Sequence, residues 1–207
     1  MQVLTSRVLR SIVVDYLKHS VEREDVAIIY IYCSYKEKDD QTATNLVASL
    51  LQQLAQKSSV VSGEILSLYD DHTKNGTRPT LGELSRLLQL ESQRFSKVFV
   101  LIDALDECPE SSDVRTSLLT EIRKLPSSVH LLVTSRHSST IEREFEKAGR
   151  LEIRASGEDI RRYLECRIKT EHQLVRLVKT YPVLQENIIS AIVEKAKGMS
   201  VSILSRW

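Results

Sequence analysis

Glycine and proline are scarce, at six and four of 207 residues. That leaves little room for collagen-like, all-β or linker-rich architectures. Cysteine is sparse too. Cys33, Cys108 and Cys166 stand far apart, with no C-x-x-C pair and no histidine-rich tract. This spacing excludes a disulfide framework and a sequence-local zinc site, and it favours a reducing compartment, the cytoplasm. No charge of one sign dominates: Lys+Arg number 29 against Asp+Glu 28, a net charge of +1. A basic field that would attract nucleic acid is therefore missing. No apolar run approaches the ~18 residues of a membrane span. The longest, such as Val26–Cys33, are strand-sized. The first residues carry Arg7, Arg10 and Asp15 rather than the apolar stretch of a signal peptide. What remains is 42% hydrophobic and 28% charged residues, the composition of an ordinary globular domain long enough to bury a core.

Two periodicities alternate along the chain. Val8, Ile12, Val13, Tyr16 and Leu17 recur at helical spacing, and the continuous apolar run Val26–Cys33 follows. Unbroken rather than alternating apolarity is what a strand covered on both faces requires. Ala43, Leu46, Val47, Leu50, Leu51 and Leu54 then share one helical face, which Thr42 or Thr44 is placed to cap. A second helical pattern covers about Val60–Tyr69, Asp70–Pro79 reads as a loop, and Leu81, Leu84, Leu87 and Leu88 mark a further helix. The strand Val98–Ile102 ends abruptly in Asp103. After it come a helix carrying Val114, Leu118, Ile122 and Leu125, the strand His130–Thr134, and a short strand Leu151–Ile153. Ser156 and Asp159 open a helix to about Glu171, and the last helix spans about Leu184–Lys197. Buried strands alternating with amphipathic helices imply an α/β fold with a parallel sheet flanked by helices. Ligands of such sheets bind beyond the carboxyl ends of the strands.

The residues after the strands carry the chemistry. A carboxylate ending an apolar strand, Asp103, suits one ligand to a magnesium ion held mainly by water and phosphate. Asp106 and Glu107, three and four residues on, are spaced to orient or deprotonate a water beside that metal. An acidic loop after a strand is as often simply solvated. Arg136 follows the next strand, where a guanidinium can read a phosphate in bidentate fashion, or pair with Asp103 or Glu107 as a plain salt bridge. The two features gain weight from falling on successive strand ends of one sheet.

The strings KVFVLIDALDECPE (Lys97–Glu110) and HLLVTSRH (His130–His137) resemble the Walker B and sensor regions of NACHT domains, members of the STAND class of P-loop NTPases. Ala104 after the first aspartate and the paired acids Asp106 and Glu107 are the specific features. Ser11–Leu17, Tyr32–Leu54 and Lys195–Met199 are similar to the nephrocystin-like NACHT modules abundant in filamentous fungi, which often precede ankyrin or WD repeats. The resemblance covers roughly Val8–Met199. It implies a P-loop NTPase-like sheet and a nucleotide-dependent oligomerisation switch in innate-immunity-like or incompatibility signalling. By resemblance Asp103 organises Mg²⁺, Asp106 or Glu107 positions the hydrolytic water, Arg136 senses the γ-phosphate of ATP or GTP, and the partners are other protein subunits. It also implies a partial nucleotide-binding core over residues 8–155 and the start of a helical region over 156–199.

A phosphate loop of the form G-x-x-x-x-G-K-[ST] is absent: none of Gly63, Gly76, Gly82, Gly149, Gly157 and Gly198 precedes lysine. Ser6 and Arg7 stand where the family places lysine and threonine, so the chain is expected to bind and hydrolyse nucleotide poorly, if at all. The strand before that loop is central in the family, beside the sensor strand. Without it, His130–Thr134 is expected to have an open edge and Leu151–Ile153 to be poorly paired. Residues 1–7 and 200–207 fit no family pattern. The chain thus reads as a fragment of a larger receptor, which a phosphate-loop reading frame upstream of the Val8 codon would establish.

The alternative of a different class is a non-catalytic interaction module, its partners docking on the leucine-rich helices at 42–56 and 80–90, although such stripes are usually core. A metal nuclease using Asp103, Asp106 and Glu107 is disfavoured by the balanced charge. Neighbouring carboxylates are expected to raise the Cys108 pKa and leave it inert. His130 starts a strand, His137 lies near the strand ends, and Lys36 and Lys38 sit in a loop. Arg161, Arg162, Arg167 and Lys169 read as the wet face of a helix.

Overall fold

The computed structural model describes residues 25–37, 39–58, 60–108, 113–154, 156–196 and 200–206. The helix expected around Val8–Leu17, the atypical residues 1–7, and residues 38 and 197–199 lie outside the described part. The described chain divides into two compact units. One holds the residues up to Leu151 together with Ile203–Arg206, and the other holds Glu152–Ser202.

The architecture is α/β, with a five-stranded mixed sheet flanked by helices. Strands β1 (Val26–Tyr32), β2 (Lys97–Asp103), β3 (Val129–Ser135), β4 (Gly149–Arg154) and β5 (Ser200–Arg206) lie in the order β1-β2-β3-β5-β4. β1 and β2 run parallel in register from Val26↔Lys97 to Tyr32↔Asp103, and β2 and β3 run parallel from Val98↔Val129 to Ile102↔Val133. Parallel neighbours in register bring their carboxyl ends to one edge. Ala27, Ile29, Ile31, Val98, Val100, Ile102 and Val133 are all buried, as doubly covered strands demand.

The expected open edge on β3 is not found. β5 hydrogen-bonds between β3 and β4, so the residues read as a foreign tail complete the sheet. Leu204 of β5 is buried in the main core. Gly149 of β4 approaches so closely that a Cβ on it would stand 3.0 Å from the Ser205 hydroxyl oxygen. Ser200–Arg206 hides its strand character behind three serines, and its burial comes from its neighbours rather than from its own apolarity.

The opposite edge is closed differently. In a parallel strand alternate residues direct their backbone groups to opposite sides. Tyr30, Tyr32 and Ser34 direct theirs away from β2, and two glutamines meet them. Gln53 accepts from the Tyr30 N–H and donates to the Tyr30 carbonyl, both at 2.9 Å. Gln41 donates to the Tyr32 carbonyl at 2.7 Å and accepts from the Ser34 N–H at 3.0 Å.

Helix α1 (Ala43–Lys57) starts at Thr42, whose side chain accepts from the Asn45 N–H, and buries Leu46, Val47, Leu50, Leu51 and Leu54. α2 (Gly63–Asn75) runs well into the stretch read as loop. Its stop is Gly76 in the left-handed region (φ +62°), with the Gly76 and Thr77 N–H groups turned back on the last carbonyls. Asp70 and Asp71 are therefore helical, and only the glycine terminates. α3 (Leu81–Ser92) carries a full capping box between Thr80 and Glu83 and buries Leu84, Leu87 and Leu88. α4 (Val114–Arg123) and the short α5 (Ser139–Glu144) flank β3 in sequence. The leucines of α1 and α3 belong to the central core, so their stripes are packing faces.

In the second unit, α6 (Gly157–Thr170), α7 (His172–Thr180) and α8 (Pro182–Ala196) surround Ile160, Leu164, Ile168 and Ile189. Ser156 and Asp159 form a capping box on α6, and Arg161 pairs with Glu186 through two 2.9 Å hydrogen bonds. Arg162, Arg167 and Lys169 face solvent. Among the described residues no helix is long and apolar enough to cross a membrane.

Candidate functional site

β2 delivers Asp103 to the strand edge, where it is only 6% exposed. The Thr134 hydroxyl of β3 donates to the Asp103 carboxylate at 2.6 Å and accepts from the Ala104 N–H at 3.0 Å. One threonine thus fixes both the acid and the first turn after it. Ala104 adopts φ +55°, ψ +50°, a left-handed conformation that costs a residue with a Cβ ~1–2 kcal/mol. It swings the chain off the sheet into a single 3₁₀ turn, Leu105–Glu107, anchored by the fully buried Leu105.

That turn presents Asp106 to the residue after β3. The Arg136 Nε meets one Asp106 carboxylate oxygen at 2.5 Å, and the Arg136 backbone N–H donates to the other at 2.9 Å. The pair is unevenly exposed, 53% for the Arg136 side chain and 13% for Asp106. The hydrogen bond and charge of Asp106, with a smaller contribution from Glu107, hold the guanidinium more firmly protonated than usual. The four expected site residues therefore do converge on one edge. Their pairing is specific: Asp103 with Thr134, and Arg136 with Asp106 rather than with Asp103 or Glu107.

Among the described residues no group of three or more His, Cys, Asp or Glu side chains is placed to hold a metal ion. One buried carboxylate beside a threonine is not a magnesium site by itself, because such an ion must take its other ligands from phosphate and water. Among the described residues this edge offers Asp103 and, on the 3₁₀ turn, Asp106 already engaged by Arg136, so these acids do not by themselves fit a resident Mg²⁺.

The lesser candidates lie apart from the strand-end acids' hydrogen bonds. His137 and Arg150 both contact the Glu142 carboxylate at 2.7 Å. His130 stacks on Phe99 with ring centroids 5.3 Å apart. Lys36 is exposed on a 3₁₀ turn.

Cys108 overturns its expectation. The influence of the Cys33 thiol, together with the charge of Arg115, lowers the Cys108 pKa against the opposing effect of burial. The Cys33 thiol is pushed well up by the influence of the Cys108 thiol, by burial, and by the Cys108, Asp103 and Asp106 charges. Sequence spacing gives no sign that Cys33 lies near the strand-end acids; the β1–β2 register places it there, since Cys33 immediately follows the strand whose last residue stands opposite Asp103.

Comparison with known proteins adds one finding. The nephrocystin 3 N-terminal family model matches residues 7–136, well over half of the sequence. The chain belongs to the nephrocystin 3 N-terminal family. Its strand-end constellation falls within that match. No curated protein and no solved structure matches the chain.

Proposed function

We propose that the chain is part of a NACHT-type signalling switch, one that neither holds nor hydrolyses nucleotide by itself. The pairing of Arg136 with Asp106 carries this reading. In NACHT-like sites an acid beside the strand end positions water and an arginine reads the γ-phosphate. Here the two neutralise each other across adjacent strand ends. Asp103, buried on Thr134, keeps the acid that such a site would present to a metal. The missing phosphate loop removes the amides and lysine that would bring in ATP or GTP together with Mg²⁺. β5 occupies the sheet position that the family likeness assigns to the strand preceding that loop. The partners in this reading are other protein subunits, the setting is cytoplasmic, and signalling proceeds by association.

Calorimetric titration of the chain with Mg-ATP and Mg-GTP, with an Asp103→Ala control, is the test. No saturable binding up to millimolar nucleotide and no phosphate release are expected. Micromolar binding that Asp103→Ala weakens tenfold or more would overturn the nucleotide-silent reading.

The alternative, a pure protein–protein interaction module, finds support on α2 rather than on the leucine-rich helices. Leu66 and Tyr69 of α2 are 53% and 67% exposed. Leu66→Ser with Tyr69→Ser, followed by sedimentation analysis, separates the two. A chain whose association vanishes with these changes alone favours the module.

A further inference from the structure

The last turns of α4, the link into β3 and the stretch that follows α5 enclose a cavity of about 460 Å³. It lies beside the amino end of β3, whereas Asp103, Asp106 and Arg136 stand at the carboxyl ends of the strands. Its volume falls within the roughly 300–1,000 Å³ usual for small-molecule sites. Its lining belongs entirely to the first unit. The floor is part of the main core: Leu119, Ile122, Leu131 and Phe145 are buried, and Val129 and Ala148 pack against them half-buried.

The rim is charged, and unevenly so. Arg123 of α4 and Glu144 of α5 meet at 2.5 Å, and the same guanidinium donates to the Glu144 carbonyl at 3.3 Å. That pair is spent on tying the two helices together. Arg143 and Lys147 are exposed, and neither makes an ion pair among the described residues. One further carboxylate, Glu146, lines the same rim, so two cations stand there against one acid. Bare carbonyls at a helix end repel an anion. Here the Lys124 and Leu125 N–H groups cover the Glu121 and Ile122 carbonyls, and the Ala148 N–H covers that of Phe145.

We propose that this cavity binds a small anionic amphiphile, an apolar chain or ring carrying a carboxylate. The apolar part rests on Leu119, Ile122 and Phe145, and the carboxylate meets Arg143 and Lys147 at the mouth. Contact with the floor removes both apolar surfaces from water. The guanidinium gives the carboxylate charge-assisted hydrogen bonds, and the ammonium adds a point charge. The Ser127 hydroxyl on the same rim is a further donor. A neutral chain of equal length keeps the apolar gain and loses the charge, while a cationic chain meets two like charges. The order of affinity is therefore carboxylate, alcohol, ammonium. Nothing in this site depends on the Arg136–Asp106 pair.

The test titrates the full chain with decanoate, decanol and decyltrimethylammonium, followed by calorimetry and methyl NMR. Decanoate should bind saturably with a Kd of about 1 mM or tighter. It should shift the Leu119, Ile122 and Leu131 methyl resonances and bind roughly tenfold or more tightly than decyltrimethylammonium. Arg143→Glu with Lys147→Glu should weaken decanoate about tenfold and leave decanol unchanged. Ala148→Phe, which narrows the cavity, should abolish binding of both. No saturable decanoate binding up to ~10 mM, methyl shifts confined to other residues, or equal affinity for the ammonium would each overturn the proposal. So would undiminished decanoate binding in the doubly substituted chain or in a folded Ala148→Phe chain. Arg143 and Lys147 are exposed, so their variant decides the matter even where Ala148→Phe fails to fold.

Discussion

The two flanks of the parallel three-strand core solve the same problem by different means. On the outer side of β1, unpaired backbone groups are met by the side-chain amides of Gln41 and Gln53. On the far side of β3, they are met by a whole strand, β5, supplied from much later in the chain. A glutamine amide presents a donor and an acceptor in the geometry of a peptide unit, so it blunts an edge without a further strand. A strand satisfies more groups and adds buried apolar surface, but it joins the sheet only after a long loop has closed. The first device is local and cheap to lose, and the second is global.

The largest expected effect comes from breaking the second device. Leu204→Asp places an unpaired carboxylate where Leu204 is 2% exposed in the core. It should cost roughly 4 kcal/mol or more and leave a chain without a cooperative thermal transition. A melt like that of the unsubstituted chain would refute the placement of β5. Next is the strand-end clasp. Thr134→Val removes the donor to the Asp103 carboxylate and the acceptor of the Ala104 N–H. A loss of about 2–3 kcal/mol in urea unfolding is expected. A loss well under 1 kcal/mol would mean that water replaces the hydroxyl. Gln53→Ala attacks the side-chain seal and should cost only about 1–2 kcal/mol, with increased exchange of the Tyr30 amide hydrogen. Equal costs for Gln53→Ala and Leu204→Asp would erase the distinction between the two flanks.

The smallest effect lies in acid. Burial raises the Glu121 pKa, but the hydrogen bonds from Lys124 and Ser85 outweigh it, so the folded value lies below the usual glutamate range. A carboxylate depressed in the folded state contributes stability above its unfolded pKa, and loses it as pH falls through the folded one. Ser85→Ala should therefore lower the melting temperature slightly at neutral pH. The difference should shrink as the solution is acidified past that range. A difference that stays constant with pH would assign Ser85 a packing role instead.

Much of this fold is written locally. The unbroken apolar runs mark β1, β2 and β3, and the acid closing Val98–Ile102 together with Arg136 marks the edge where they end. What escapes local reading depends on partners distant in sequence. β5 carries three serines in seven residues, so its strand nature rests on the β3 and β4 backbones. The Arg136–Asp106 pair follows from register, which spacing does not encode. α7 lies between two helices with stronger signals and carries no separate mark of its own, and the turn-forming character of Asp70 and Asp71 hides the last turns of α2.

β5 also sets the order of events during synthesis. β3 leaves the ribosome about 65 residues before Ser200–Arg206 does, and at ~5–20 residues per second its edge stays unpaired for roughly 3–13 s. The nascent chain therefore passes through a stage with a strand-sized, apolar, hydrogen-bond-hungry groove beside Leu131 and Val133. An unpaired strand edge of that kind is where a nascent chain is most open to pairing with another strand, and the finished fold covers it with β5.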